Sequence, residues 1–194
     1  MKRLAIVAAA FEGSLALLAV GLGWLLERPA FESLHLDGRG SLLGLLATAP
    51  PLAMCWICLT WRIRPLQEVI RVIDEVLAPM FRGCGLLGLA LVAALAGLGE
   101  ESLFRGVVQS AVASSLGGAH GPWIGLLVAA VLFGLLHLAT PTYGVLATLM
   151  GGYFGWIWLA TGNLLVPIAA HAVYDFLVLL YFVKRRQPPV VAER

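Results

Sequence analysis

Two adjacent carboxylates and a guanidinium, in Glu100-Glu101-Ser102-Leu103-Phe104-Arg105, stand inside a hydrophobic run. No charge occurs from Leu86 to Leu98 or from Gly106 to Gly118. Ionisable side chains at membrane depth cost on the order of a few kcal/mol each, so three together must be satisfied internally. They are kept either for chemistry or as a salt bridge that locks helices together. Two further insertions bear on that choice. His137 ends Phe133-Gly134-Leu135-Leu136-His137, and His171 opens His171-Ala172-Val173-Tyr174-Asp175, both in apolar surroundings. A lone intramembrane His is often only a helix–helix hydrogen-bond partner. Three separate segments, each with ionisable groups, point instead to one convergent site.

Helical spacing sorts these residues. Glu101 and Arg105 are four apart, so they share a face and can pair in the favoured order, Glu before Arg. Glu100 is rotated by about 100° from Glu101 and is free to face another neighbour. This division makes Arg105 the compensator of Glu101 and Glu100 the working carboxylate. His171 and Asp175 are also four apart. Asp175 can orient His171 through one ring nitrogen, leaving the other to donate to an oxyanion. His137 can hold a water against Glu100. A base, a nucleophilic water and oxyanion donors are the set that water-mediated amide cleavage needs.

Other chemistries compete. A serine protease needs an activated hydroxyl, and Ser102, Ser110, Ser114 and Ser115 on this segment have no dedicated base. A zinc site of Glu100, His137 and His171 has suitable ligand types, but no His-Glu-x-x-His pair is present and each ligand comes from a different segment. Cys55-Trp56-Ile57-Cys58 has redox-motif spacing yet lies in an apolar stretch; with Cys84 the three cysteines read as packing residues, and the odd count argues against a disulfide framework.

The elements that must position these groups are membrane helices. At 60% hydrophobic and 12% charged residues, with mean hydropathy +0.92, the chain is no ordinary soluble domain. A net charge of +2 gives no basis for nucleic-acid binding. Met1-Lys2-Arg3 leads into an apolar stretch without a cleavage pattern, so that stretch is expected to remain as an anchor. Hydropathy predicts six spans: 4–26, 41–61, 86–116, 123–138, 143–160 and 164–183. A crossing needs roughly 20 residues, so the fourth is short and the third long. The expected fold is an all-α polytopic membrane bundle forming one domain over 1–194. Gly151, Gly152 and Gly155 are the expected helix-contact face.

Between the second and third spans, Leu66, Val69, Ile70, Ile73, Val76 and Leu77 recur at three- and four-residue spacing among Glu68, Arg71, Asp74 and Glu75. This predicts an interfacial amphipathic helix over 65–79, ended near Pro79, serving as an anchor or as a gate or substrate ledge. Lys2, Arg3, Arg62, Arg64, Arg71, Arg82, Lys184, Arg185, Arg186 and Arg194 fall on one side of the predicted topology, against Arg28 and Arg39 on the other. Both termini are therefore expected in the cytoplasm. With ~1.5 Å rise per residue, Glu100 lies roughly 24 Å inward from Leu116 and His137 at a matching depth, whereas His171 is only about 10 Å inward from Leu164. A tilted last span, or a 161–167 segment that starts below the outer surface, would bring His171 level. The site is then expected in the cytoplasmic half, open to the cytoplasm or between helices.

Glu-Glu-x-x-x-Arg at 100–105, Phe-x-x-x-His at 133–137 and His-x-x-x-Asp at 171–175, in this order and in apolar spans, resemble the CAAX protease and bacteriocin-processing (CPBP, or Abi) family. That family includes the eukaryotic type II CAAX prenyl endopeptidase. The resemblance covers roughly Gly83 to Val183; the first two spans are not diagnostic. It implies an all-helical intramembrane glutamic endopeptidase, with no covalent acyl-enzyme, acting on a membrane-associated protein or peptide. The missing paired-His motif predicts that no metal or other cofactor is needed, and the expected location is the inner membrane. Glu100 matches the general base, His137 the residue that helps to activate water, and His171 an oxyanion donor. Glu101 and Arg105 match the remaining charged positions. Asp175 stands where the prenyl endopeptidases have Asn. An ionised Asp cannot donate to an oxyanion, so it either carries a proton or only orients His171. The family also implies a non-catalytic alternative, a bacteriocin-immunity-type membrane protein using the same cluster for binding.

Overall fold

A computed structural model describes residues 3–185. Lys2, Arg186 and Arg194 of the charge pattern lie outside the described residues. Helix α1 (Arg3–Leu25) is an apolar rod. Helix α2 (Gly38–Thr60) starts on Asp37, whose Oδ1 accepts from Gly40 N at 2.6 Å, an N-cap that satisfies an otherwise orphaned amide. Its two halves meet at Thr48, just before Pro50 and Pro51, which cannot donate to the helical ladder. Helix α3 (Arg64–Val72) runs on through a π-helical turn at Ile73–Leu77 and a last turn at Ala78–Phe81.

Helix α4 (Leu86–Leu116) is the central rod. It is followed by α5 (Gly121–Leu136), α6 (Pro141–Thr161) and α7 (Leu165–Arg185). Thr140 caps α6, accepting from Tyr143 N at 3.1 Å, with Pro141 at the first helical position, where no N–H is needed. Gly162 ends α6 in the left-handed region, φ 63°, which glycine adopts without steric cost.

All six predicted spans are helices. Five of them are long and apolar enough to cross a membrane; α5 is shorter. Large apolar side chains remain on the outside, Trp24 at 83% and Leu87 at 84% exposure, an arrangement that lipid accepts and water does not. The amphipathic segment differs from expectation in its end. It continues to Phe81, because the π turn places Ala78 N on Ile73 O and so accommodates Pro79, whose ring would clash in a regular ladder. It also buries Leu66 and Val69 rather than lying wholly on the surface.

Apolar clusters wrap the middle of the bundle. Ala5 and Ala9 of α1 pack with Phe81, Leu89 and Val92 of the following segments and Val183 of α7. Arg3, Arg82, Lys184 and Arg185 flank these residues in the chain, so positive charge gathers at that end of the bundle. Gly151 and Gly155 form the α6 contact face: an added Cβ at Gly151 would press on Phe133 and Ala130, and one at Gly155 on Gln109 and Leu126. Gly152 contributes less, with only Ala130 Cβ at 3.8 Å.

Two glycines on α4 decide where the site forms. A Cβ at Gly97 would overlap Ile168 O and Ala172 of α7, so α7 rests on the α4 backbone there. A Cβ at Gly99 would overlap the Glu12 carbonyl of α1. Both helices therefore approach α4 within one turn of Glu100 and Glu101.

His171 comes within 4.0 Å of Glu100, and the packing at the start of α7 shows how. Leu164 is fully buried, and its N–H donates to Ser33 O at 2.9 Å. Asn163 donates to His35 O at 3.0 Å and to Asp37 Oδ2 at 3.1 Å, and accepts from His35 N at 3.1 Å. The last helix thus begins beneath a roof formed by the α1–α2 connection.

Candidate active site

Arg105 anchors the cluster. It is fully buried, with Nη1 3.0 Å from Glu101 Oε2 and Nη2 donating to Gly151 O at 2.5 Å. Its guanidinium lies 5.1 Å from the ring centre of Phe133 and 5.7 Å from that of Phe154, within cation–π range. One turn on, Gln109 Nε2 donates to Gly155 O at 3.3 Å. The two side chains fasten α4 to α6, and both belong to a π-helical stretch, Ser102–Gln109. Such widened turns frequently mark functional segments, and this one has no signature in the hydrophobic pattern.

Glu101 serves a second partner. Its Oε1 is 2.8 Å from His171 Nδ1; a carboxylate engaged by Arg105 can only accept, so Nδ1 carries the proton. His171 Nε2 is then left facing Glu100 Oε2 at 4.0 Å and Asp175 Oδ2 at 3.5 Å. The expected orientation of His171 by Asp175 is thus performed from the other side, by Glu101, with Asp175 sharing the nitrogen that faces Glu100. Phe154 stacks on the imidazole with centroids 5.1 Å apart.

His137 caps the end of α5. Its Nδ1 is 2.8 Å from Phe133 O, and because a carbonyl only accepts, Nδ1–H donates and Nε2 is bare. That nitrogen points to Glu100 Oε2 at 3.8 Å. The ring stacks on Phe133, centroids 4.4 Å apart. Glu100 is 8% exposed, and its Oε2 has no hydrogen-bond donor among the described residues.

The six residues singled out from the sequence therefore meet in one place. Glu100, His137, His171 and Asp175 line a cavity of about 290 Å³. Its remaining wall is mostly apolar, with Val69, Ile70, Ile73 and Leu77 from the amphipathic segment, Cys55 and Cys58 from α2, and Leu146 and Met150 from α6. Cys55, Cys58 and Cys84 are free thiols.

The four serines considered as nucleophiles each donate to a carbonyl of their own helix: Ser102 to Leu98, Ser110 to Gly106, Ser114 to Ser110 and Ser115 to Ala111. None meets a histidine. Among the described residues no group of three or more His, Cys, Asp or Glu is arranged to hold a metal ion.

Glu12 and Tyr143 also line the cavity and were not singled out from the sequence. For Glu12 a signal existed, since it is the one ionisable residue within 4–26, and an ionisable group at membrane depth marks a functional site by default.

Residues 82–177 match the family described as type II CAAX prenyl endopeptidase Rce1-like; this stretch holds all six site residues and excludes α1 with Glu12. No curated protein and no solved structure matches the chain.

Proposed function

We propose, for a chain that belongs through residues 82–177 to the Rce1-like family of type II CAAX prenyl endopeptidases, that it hydrolyses a peptide bond within the membrane with water activated by Glu100. The observation that carries this reading is the convergence of Glu100 Oε2 with His137 Nε2 at 3.8 Å and His171 Nε2 at 4.0 Å in one buried cavity. Both gaps are too long for direct hydrogen bonds and suit a water that touches more than one of these groups.

In this mechanism the water donates one hydrogen to Glu100 and the other to the bare Nε2 of His137. Its lone pair is turned towards the substrate carbonyl. Glu100 takes a proton as the oxygen attacks, and that proton passes to the leaving amine when the C–N bond breaks. His171, held at Nδ1 by Glu101, presents Nε2 to the developing oxyanion and stabilises it when that nitrogen carries a proton. Asp175 sets the position of the same nitrogen.

The substrate is a membrane-associated protein or peptide, admitted along the apolar wall. The amphipathic segment that forms part of this wall is at the positively charged end of the bundle. This supports entry from the cytoplasmic side, cytoplasmic termini and an inner-membrane location, for a chain acting as one membrane domain. The test is cleavage of a membrane-peptide library by purified wild type and Glu100→Gln. Losing a general base costs about 10²–10⁴-fold, so the variant should fold and be nearly inactive. Full activity in Glu100→Gln would end the glutamic mechanism, and retained biological function without cleavage would favour the binding alternative.

A further inference from the structure

Helix α1 lies outside the matched stretch, yet it delivers one ionisable side chain, Glu12, into the same cavity as Glu100. The delivery is built into the packing. Because a Cβ at Gly99 would overlap the Glu12 carbonyl, α1 sits directly on the α4 backbone at the residue before Glu100. Glu12 and Glu100 line that one cavity together with His171 and Asp175 of α7. Arg105 is already committed to Glu101 and to Gly151 O. Glu12 Oε2 and Glu100 Oε2 are both buried, and neither receives a hydrogen bond from a donor of the described residues.

Two ionised carboxylates are acceptors only and cannot bond to one another. Two carboxyls sharing a site out of water cannot both be ionised without strong repulsion. One proton between them removes both conflicts. We infer that Glu12 and Glu100 form a carboxyl pair holding a single proton, with Glu12 a positioning residue for the base. This inference rests on the reading of Glu100 as the base.

The pair gives the reaction a closed proton cycle. At the start Glu12 carries the proton and donates it in a hydrogen bond to ionised Glu100, which fixes the direction of the free carboxylate oxygen. As water attacks the carbonyl carbon, its O–H bond breaks and the pair takes up a second proton. When the C–N bond breaks, one proton goes to the amine nitrogen. The pair again holds one, with water consumed and an acid and an amine formed.

The pairing is tested without any substrate by infrared spectroscopy of the full chain in an ester-free detergent near neutral pH. A hydrogen-bonded neutral carboxylic acid has a carbonyl stretch separate from those of carboxylate and amide. Wild type should show this band, and it should vanish in both Glu12→Gln and Glu100→Gln. It should persist in Glu27→Gln, a change at the α1–α2 turn. Absence of the band in wild type, or its survival in either of the first two variants, overturns the pair. If Glu12→Gln does not insert, Glu100→Gln carries the same test.

The positioning role is read by kinetics on a cleaved peptide. Glu12→Gln should lower kcat by about tenfold to a hundredfold with KM unchanged, short of the roughly 10²–10⁴-fold expected for loss of the base itself. Glu12→Asp, which keeps a carboxyl, should recover part of that loss. Unchanged kcat in Glu12→Gln overturns the role. A band that depends on Glu12 in a protein that cleaves no peptide would support the pair and count against the proposed function instead.

Discussion

His171 Nδ1 lies 2.8 Å from Glu101 Oε1, and Arg105 Nη1 donates to that same oxygen at 3.1 Å, with Glu101 Oε2 3.0 Å away. One carboxylate therefore holds together the buried cation of α4 and the imidazole of α7. Compensation of the buried Arg105 charge and orientation of the His171 ring are thus a single device.

Arg105→Met should destabilise the protein by about 3–5 kcal/mol, because it leaves Glu101 charged, buried and without its cation. The double variant Arg105→Met with Glu101→Gln removes both charges and should recover most of that loss. It should not recover cleavage, since the carboxylate facing His171 is gone. Unfolding in detergent followed by tryptophan fluorescence, together with a cleavage assay, separates the two effects. A double variant with full activity would show that Glu101 has no part in aiming His171.

Gly97→Ala should separate α7 from α4. The new methyl would lie 2.7 Å from Ile168 O and 3.0 Å from Ala172 N, both backbone atoms that cannot move alone. Overpacking of this kind costs about 1–3 kcal/mol. Displacing His171 from Glu100 by about 1 Å can cost on the order of 10²-fold in rate. A folded Gly97→Ala protein with wild-type kcat would show that this helix contact does not set the site geometry.

Asp175→Asn should retain cleavage, because an amide at this position can still meet His171 Nε2 and can also donate. Asp175→Leu should lose the contact seen at 3.5 Å and lower kcat by about tenfold or more, as a misaligned donor does. Equal activity in the Asn and Leu variants would remove Asp175 from the site.

Chelation should leave cleavage intact. The sequence has no paired-His helix motif of the kind that holds catalytic zinc. Activity abolished by a chelator and restored by zinc, with one zinc per chain by elemental analysis, would establish the metal-dependent alternative.

The sequence by itself determined the helices and the identity of the polar cluster. In a chain this apolar, Glu100, Glu101, Arg105, His137, His171 and Asp175 stand out because ionisable groups are costly at membrane depth. The i, i+4 spacing paired Glu101 with Arg105 before any tertiary contact was known. The second partner of Glu101 was not legible, since helical periodicity reports which residues share a face and says nothing of what that face meets. The π turns were equally silent, because one extra residue per turn leaves an apolar run apolar.

Only the tertiary structure brought His171 level with Glu100, by roofing the start of α7 with the α1–α2 connection at Ser33, His35 and Asp37. It also carried Glu12 from a distant span to the cavity, through a backbone contact that Gly99 alone permits. A glycine in an apolar run tells how closely another helix can approach. Which helix takes that place depends on packing summed over the whole bundle.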